Sequence, residues 1–285
     1  MRYFSVLLPL LLSASLAGAQ ADSSNGTRVS AQYAARVAQV RATQPGWASP
    51  LASESLRLNQ GIRYDAVREK MPTGQRAWYL GSPMVFATIP FSRVETAIVV
   101  PERVWNNHPS LKDGAGDIAF AAKYRILSAN EHEGNYVMSA WGVVTLPTGS
   151  YGNGSPNASF IPGLGVGKGF GAFAGQTTLS ATLPTGVRAV ALLGRPIAWN
   201  SMVEYRFRRI FVPELEDNLT LFKDGLTDGL VQNFVTPGLW ISSLPLHGRG
   251  SSSPRAIALG AAMQVATSRL PTYNHGLILS GRILF

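Results

Sequence analysis

The chain has 285 residues, 46% of them hydrophobic and only 14% charged, with 29 Gly, 18 Pro, 6 Trp and no Cys. A soluble domain carries roughly 25% charged residues, so a water-facing surface is under-supplied here and an ordinary cytoplasmic enzyme is disfavoured. The net charge of +9 rests on 25 basic residues scattered through apolar sequence, with Arg206, Arg208 and Arg209 as the densest cluster; no nucleic-acid signature follows.

Residues 1–21 read as a cleaved secretory signal. Arg2 supplies the positive start, Val6 to Leu12 the apolar run, and Ala17-Gly18-Ala19 or Ala19-Gln20-Ala21 the small-residue cleavage site. Export without Cys excludes a disulfide-stapled scaffold, so the exported protein is held by a core or by closure of a sheet. Residues 22–54 form a separate N-terminal segment. Tyr33, Val37 and Val40 stand at helical spacing between Ser30 as N-cap and Pro45-Gly46. Two expectations stay open for it: a periplasmic or lumen-plugging element, or a loosely ordered extension.

Residues 55–285 read as an all-β transmembrane barrel of antiparallel up-and-down topology, with about 12 strands. Gly134 to Gly167 and Gly229 to Gly248 carry no charge, yet Gly and Pro interrupt both, so they are apolar without helical capacity. Alternation replaces it. Ile118, Phe120, Ala122, Tyr124 and Ile126 face one way, and Asp117, Ala119, Ala121, Lys123 and Arg125 the other. Ile197, Trp199, Val203, Tyr205 and Phe207 likewise oppose Asn200, Glu204, Arg206 and Arg208, and Leu56, Leu58, Ile62 and Tyr64 oppose Arg57, Asn59, Arg63 and Asp65.

A soluble sandwich alternates too, so length decides: membrane strands need roughly 9 to 11 residues, globular ones about five or six. The predicted strands are 55–66, 77–88, 93–104, 116–127, 135–146, 157–168, 172–183, 197–207, 210–222, 232–242, 255–267 and 275–285. The strings Met71-Pro72-Thr73-Gly74, Leu146-Pro147-Thr148-Gly149, Leu183-Pro184-Thr185-Gly186 and Leu270-Pro271-Thr272 all end odd-numbered strands, which places them on one rim. Ser243 to Pro254 is long for a turn on the other rim. The chain ends on an alternating strand, with Leu277, Leu279, Ile283 and the terminal Phe285 on one face. It resembles the closing strand that barrel-assembly machinery recognises in outer-membrane proteins.

The polar strand faces supply the pore-lining candidates: Arg57, Arg63, Asp65, Arg93, Glu95, Asp117, Lys123, Arg125, Glu204, Arg206, Arg208 and Arg282. Cations outnumber carboxylates there, so either the lumen favours anions or the ions pair into a plug. No catalytic set is expected. His108, His132, His247 and His275 lack a recognisable Ser partner motif, no cofactor or metal motif is present, and Gly163 to Gly169 lacks the phosphate-loop spacing. Those glycines are read as letting a strand bend or pack closely, and Glu214, Glu216 and Asp217 as a solvated rim or partners of the Arg cluster.

Gly114-Ala115-Gly116-Asp117-Ile118-Ala119-Phe120-Ala121-Ala122-Lys123-Tyr124-Arg125, followed by a strand ending Leu146-Pro147-Thr148-Gly149, resembles a family of outer-membrane barrels named for the meta-pathway of phenol degradation and often called transporters. The resemblance runs from about residue 55 to 285. It implies a barrel passing small hydrophobic or aromatic compounds, and it carries over no catalytic residues. The expectation is therefore a small-molecule channel in outer-membrane lipid, with a closed structural or binding barrel and a lipid-active enzyme as alternatives.

Overall fold

The computed structural model describes residues 23–107, 112–208, 210–246, 255–269 and 271–285. The expected leader, His108, Arg209, His247, Leu270 and residues 247–254 of the long turn lie outside them.

After α1 (Ser23–Ala42) come twelve strands: β1 (Gly61–Lys70), β2 (Arg76–Phe91), β3 (Val94–Val100), β4 (Ile118–Ala129), β5 (Tyr136–Leu146), β6 (Ser159–Phe170) and β7 (Phe173–Ala181). Past a short α2 (Val187–Leu193) follow β8 (Ile197–Tyr205), β9 (Phe211–Leu221), β10 (Val231–Leu246), β11 (Arg255–Ala266) and β12 (His275–Leu284). Each strand pairs antiparallel with its sequence neighbours, and β12 pairs with β1 from Gly61 opposite Leu284 to Lys70 opposite His275. The sheet is thus closed and has no edge, the condition for a β-structure surrounded by hydrocarbon.

Closure sorts the alternate side chains. Phe120, Leu164, Val203, Leu215, Leu259 and Leu279 are exposed around the outside, while Asp65, Lys123, Glu204 and Glu216 are buried inside. Aromatic side chains flank this apolar belt at both ends, with Phe91, Phe170, Phe173 and Phe211 at one and Trp78, Trp105 and Phe160 at the other. The rim that carries Gly61 and Leu284, here the near rim, has tight turns at Ser92-Arg93 and Gly171-Ala172. The far rim carries the longer connections, including α2 and the described parts of all four Pro-Thr strings. Pro ends the ladder there because it has no N–H to donate.

The first strand departs from expectation. Leu56 and Leu58 alternate with Arg57 and Asn59 as a strand would, but β1 starts only at Gly61. Residues 43–60 instead run inside the barrel, where Trp47, Leu51, Leu56 and Leu58 are almost fully buried. Leu51 packs with Trp240, Ala262 and Ile278 on one side, and Trp47 and Leu56 with Val137 and Ala174 on another. A segment touching walls on several sides of a closed barrel occupies its lumen. Ahead of it α1 lies across the near rim: Arg36 donates to the Pro90 carbonyl, Arg41 to that of Phe285, and Asn130 to that of Ala42. Val37 and Val40 seat the helix on Leu58 and Ile89.

The glycine run in β6 makes room for this segment. A Cβ on Gly165 would stand 2.5 Å from Leu56 Cδ2, and one on Gly167 2.7 Å from the Trp47 ring. Burying each such side chain contributes roughly 1.5–3 kcal/mol, so the bare wall of β6 is what the segment's apolar face requires. Gly165→Leu and Gly167→Leu are expected to dislodge the Trp47–Leu56 stretch but leave the barrel closed. Limited proteolysis in detergent should then cut within residues 43–60, which the native protein protects, while heat-modifiable gel migration persists.

Candidate functional site: the filled lumen

A peptide segment crossing a lumen brings unpaired backbone groups with it, and each must find a partner. The wall supplies them. Glu204 accepts from the Ala48 N–H (3.1 Å), Glu214 from Leu51 (3.0 Å), Glu216 from both Ala52 and Ser53 (2.7 and 2.8 Å), and Glu95 from Asn59 (2.5 Å). Cations take the carbonyls: Arg282 donates to Ser49 and Pro50 (2.9 and 2.6 Å), Arg63 to Leu51 (2.7 Å) and Arg125 to Val40 (3.1 Å). Ser139 and Gln176 donate to the Leu56 and Glu54 carbonyls. These partners come from nine of the twelve strands, and most of the bonds are charge-assisted.

 The strands involved are β1, β3, β4, β5, β7, β8, β9 and β12, together with β2, whose Ile89 N–H donates to Gln60 Oε1 at 3.0 Å.

The pore-lining candidates divide by position. Arg63, Asp65, Glu95, Lys123, Arg125, Glu204 and Arg282 point inward from strands. Arg63 binds Asp65 (2.5 Å), which also accepts from Ser280, and Arg282 lies 4.2 Å over the Trp240 ring. Lys123 sits between Glu54 of the segment (2.7 Å) and Glu95 (3.3 Å). Arg57 is on the segment rather than a strand, near Glu204, and its Nε has no hydrogen-bond partner. Arg93 and Arg208 are exposed in near-rim turns, where Arg208 covers Phe207, and Arg206 pairs with Glu131 (2.6 Å) just past β8. Asp117 ties the far-rim loops, accepting from the Gly149 and Ser155 N–H groups (2.7 and 2.6 Å).

Glu214 and Glu216 correct the expectation of a solvated rim: both are buried in the lumen on β9, and only Asp217 faces outward. The expected cationic excess is corrected with them. Among the described strand residues facing the lumen, Arg63, Lys123, Arg125 and Arg282 meet Asp65, Glu69, Glu95, Glu204, Glu214 and Glu216, so carboxylates outnumber cations. Turns carry Arg out of the alternation that strands impose, which is why counting by parity overestimated the positive side.

The segment leaves space along one wall. A cavity of about 240 Å³ lies between it and β2–β5, lined by Val85, Ala97, Val99, Ala121, Trp141 and Val143, with Glu54 and Lys123 at its polar end. A second cavity of about 430 Å³, lined by Glu69, Tyr79, Glu102, Gln264 and Tyr273, lies toward the far rim. Arg63 and Pro83 border both. His132 and His275 are exposed on opposite rims. On β12, Leu277, Leu279 and Ile283 face outward, and Phe285 follows the strand's end at the near rim.

The profile of a family described as "Putative MetA-pathway of phenol degradation" matches residues 22–188. Among solved structures, the chain is similar to an outer membrane channel from Pseudomonas putida F1, at 15% identity and TM-score 0.55, covering 84% of this chain and 100% of that one. A KdgM porin in complex with disordered oligogalacturonate aligns at 10% identity and TM-score 0.47, covering 79% and 99%. The first likeness concerns the fold alone, and the second carries no argument. No curated protein matches the sequence.

The anchoring role of the wall carboxylates is open to direct measurement. Glu216→Gln removes one charged acceptor from a pair of adjacent N–H groups. Amide exchange at Ala52 and Ser53 should accelerate by about 10- to 100-fold, from the loss of a hydrogen bond to a charged group. Exchange at Ala48, held by Glu204, should change much less.

Proposed function

The chain belongs to the family of outer-membrane barrels named for the meta-pathway of phenol degradation, and from that premise we propose that it is an outer-membrane channel for small solutes with an apolar body. The observation that carries this reading is the pair of cavities that border one another at Arg63 and Pro83, beside the lumen segment rather than through it. The larger is polar and lies toward the far rim; the smaller has an apolar wall. A molecule with a hydrophobic or aromatic body fits that wall better than an inorganic anion does, and the carboxylates of the lumen oppose anions further.

The outer membrane supplies lipid for the apolar belt, and the tight-turned near rim is assigned to the periplasm, as in barrels whose extracellular loops are the longer ones. Residues 1–21 act as the export signal, and β12 with Phe285 presents the assembly signal. The second reading is a closed barrel, favoured by the bonds that fix residues 43–60 in the lumen.

Conductance across planar bilayers separates the two. The full chain should give small, well-defined steps, and removal of residues 22–54 should raise the step size several-fold. A full chain that never conducts, with a truncated form that does, would establish the closed barrel; silence from both would remove the channel.

A further inference from the structure

Four basic residues gather on the outer face of the wall at the far-rim end of β1 and β2. Val67, Glu69 and Tyr79 line the larger cavity, so alternation turns Arg68 and Lys70 of β1, and Arg76 and Trp78 of β2, outward. The register sets Lys70 directly opposite Arg76, and Arg68 opposite Trp78, whose ring centroid lies 5.5 Å from the guanidinium. Residues Arg103–Asn106 pair with β2 on its other side, which places Trp105 opposite Trp78 and Arg103 opposite Leu80 on the same outer face. Arg76, Trp78, Arg103 and Trp105 are exposed, and Arg68 and Lys70 are half-buried.

Among the described residues, none of the four lies within ion-pair distance of a carboxylate. On the other side of Lys70 the row continues to His275, and Arg68 is followed there by Leu277. Glu69 and Glu102 stand behind the wall in the larger cavity, where Glu69 is hydrogen-bonded to Tyr79, and Asp113 in the loop beyond accepts from the Asn106 N–H. Two carboxylates on the other face of the sheet do not balance four cations. Like charges set directly opposite on adjacent strands, as Lys70 and Arg76 are, destabilise a sheet, and an anion held between them reverses the sign of that term. Other outward cations stand apart: Lys168 covers Tyr136 and Phe170 on β6, and Arg255 begins β11.

Toward the near rim the same face runs into the apolar belt, where Tyr64 and Leu279 are exposed. Trp78 and Trp105 mark the level between, as indoles do where hydrocarbon meets lipid headgroups. Cations above, indoles between and hydrocarbon below match a lipid with a phosphorylated head. We propose that this patch binds lipid A, the phosphorylated glycolipid of the outer leaflet, with a phosphate bridging Lys70 and Arg76 and the acyl chains lying on the belt. Guanidinium groups bind phosphate through paired N–H donors, and Arg68 and Arg103 flank the bridge on either side of Trp78. The site goes beyond the channel reading and rests on it only for the membrane and for the assignment of the far rim to the outside.

The test uses the full chain in detergent micelles and native mass spectrometry, with diphosphoryl lipid A, cardiolipin and phosphatidylethanolamine as probes. Lipid A should bind about tenfold tighter than phosphatidylethanolamine, the scale of two partly exposed ion pairs, and added salt should shrink that preference. Lys70→Gln combined with Arg76→Gln should bring lipid A down to the level of phosphatidylethanolamine. Lys168→Gln combined with Arg255→Gln, which removes two outward cations at the near rim, should leave lipid A binding unchanged. Heat-modifiable migration should show both barrels intact, and without lipid the first variant should unfold at a temperature no lower than the native protein, because it has lost a repulsion. Equal loss in the two variants, a lipid A preference that survives Lys70→Gln with Arg76→Gln, or tighter binding of cardiolipin than of lipid A would overturn the proposal. Displacement of lipid A by inorganic phosphate would overturn it too, by making the occupant a free anion. None of these readouts depends on conductance, so failure of the site and failure of the channel are seen separately.

Discussion

The backbone N–H groups of residues 43–60 must be satisfied inside a lumen, and the wall meets that demand with carboxylates. An unpaired buried N–H costs on the order of 1–3 kcal/mol, and this segment runs through the barrel without a ladder of its own. Glu95, Glu204, Glu214 and Glu216 accept from five of its amides, while Arg63 and Arg282 take its carbonyls and Arg125 takes that of Val40 in α1 just ahead of it. Wall and segment are therefore complementary at the level of single polar atoms. The glycines of β6 complete the fit on the apolar side by leaving space for Trp47 and Leu56.

That demand also explains the sparse charge. Outside, the ions of the strands stand mostly near strand ends, as Arg68, Lys70, Arg76, Lys168 and Arg255 do, and Asp217 is held by Asn233. Inside, charges are few but nearly all bonded, and the surplus of positive charge in the whole chain resides in turns, loops and termini. The lumen has the opposite sign from the molecule. A basic isoelectric point thus describes the rims of this protein and not its interior.

Filling one side of the lumen determines where a solute could go. The segment packs through Trp47, Leu51 and Leu56 against β5, β7 and β9 to β12, and free space remains along β1 to β5. The inner surface of β2 to β5 there combines Val85, Ala97, Val99, Ala121, Trp141 and Val143 with the ion pair of Glu95 and Lys123.

Strand alternation, strand length and the Pro-Thr strings made a twelve-strand closed barrel legible in the sequence, because a strand's inside and outside are encoded in adjacent residues. Eleven of the predicted strands lie within a few residues of where they occur, and the terminal strand closes onto the first. Leu56 and Leu58 misled because alternation reports burial on one side and not which body does the burying; a lumen segment alternates as a strand does. The roles of Glu214 and Glu216 were invisible for a related reason. Their partners Leu51, Ala52 and Ser53 lie more than 160 residues away, at separations of 163 and 164. The sequence by itself determined the barrel, since its rules are local. Only the tertiary structure decided what fills it, which charges face inward and where space is left, since those follow from bonds between residues that meet only when the sheet closes.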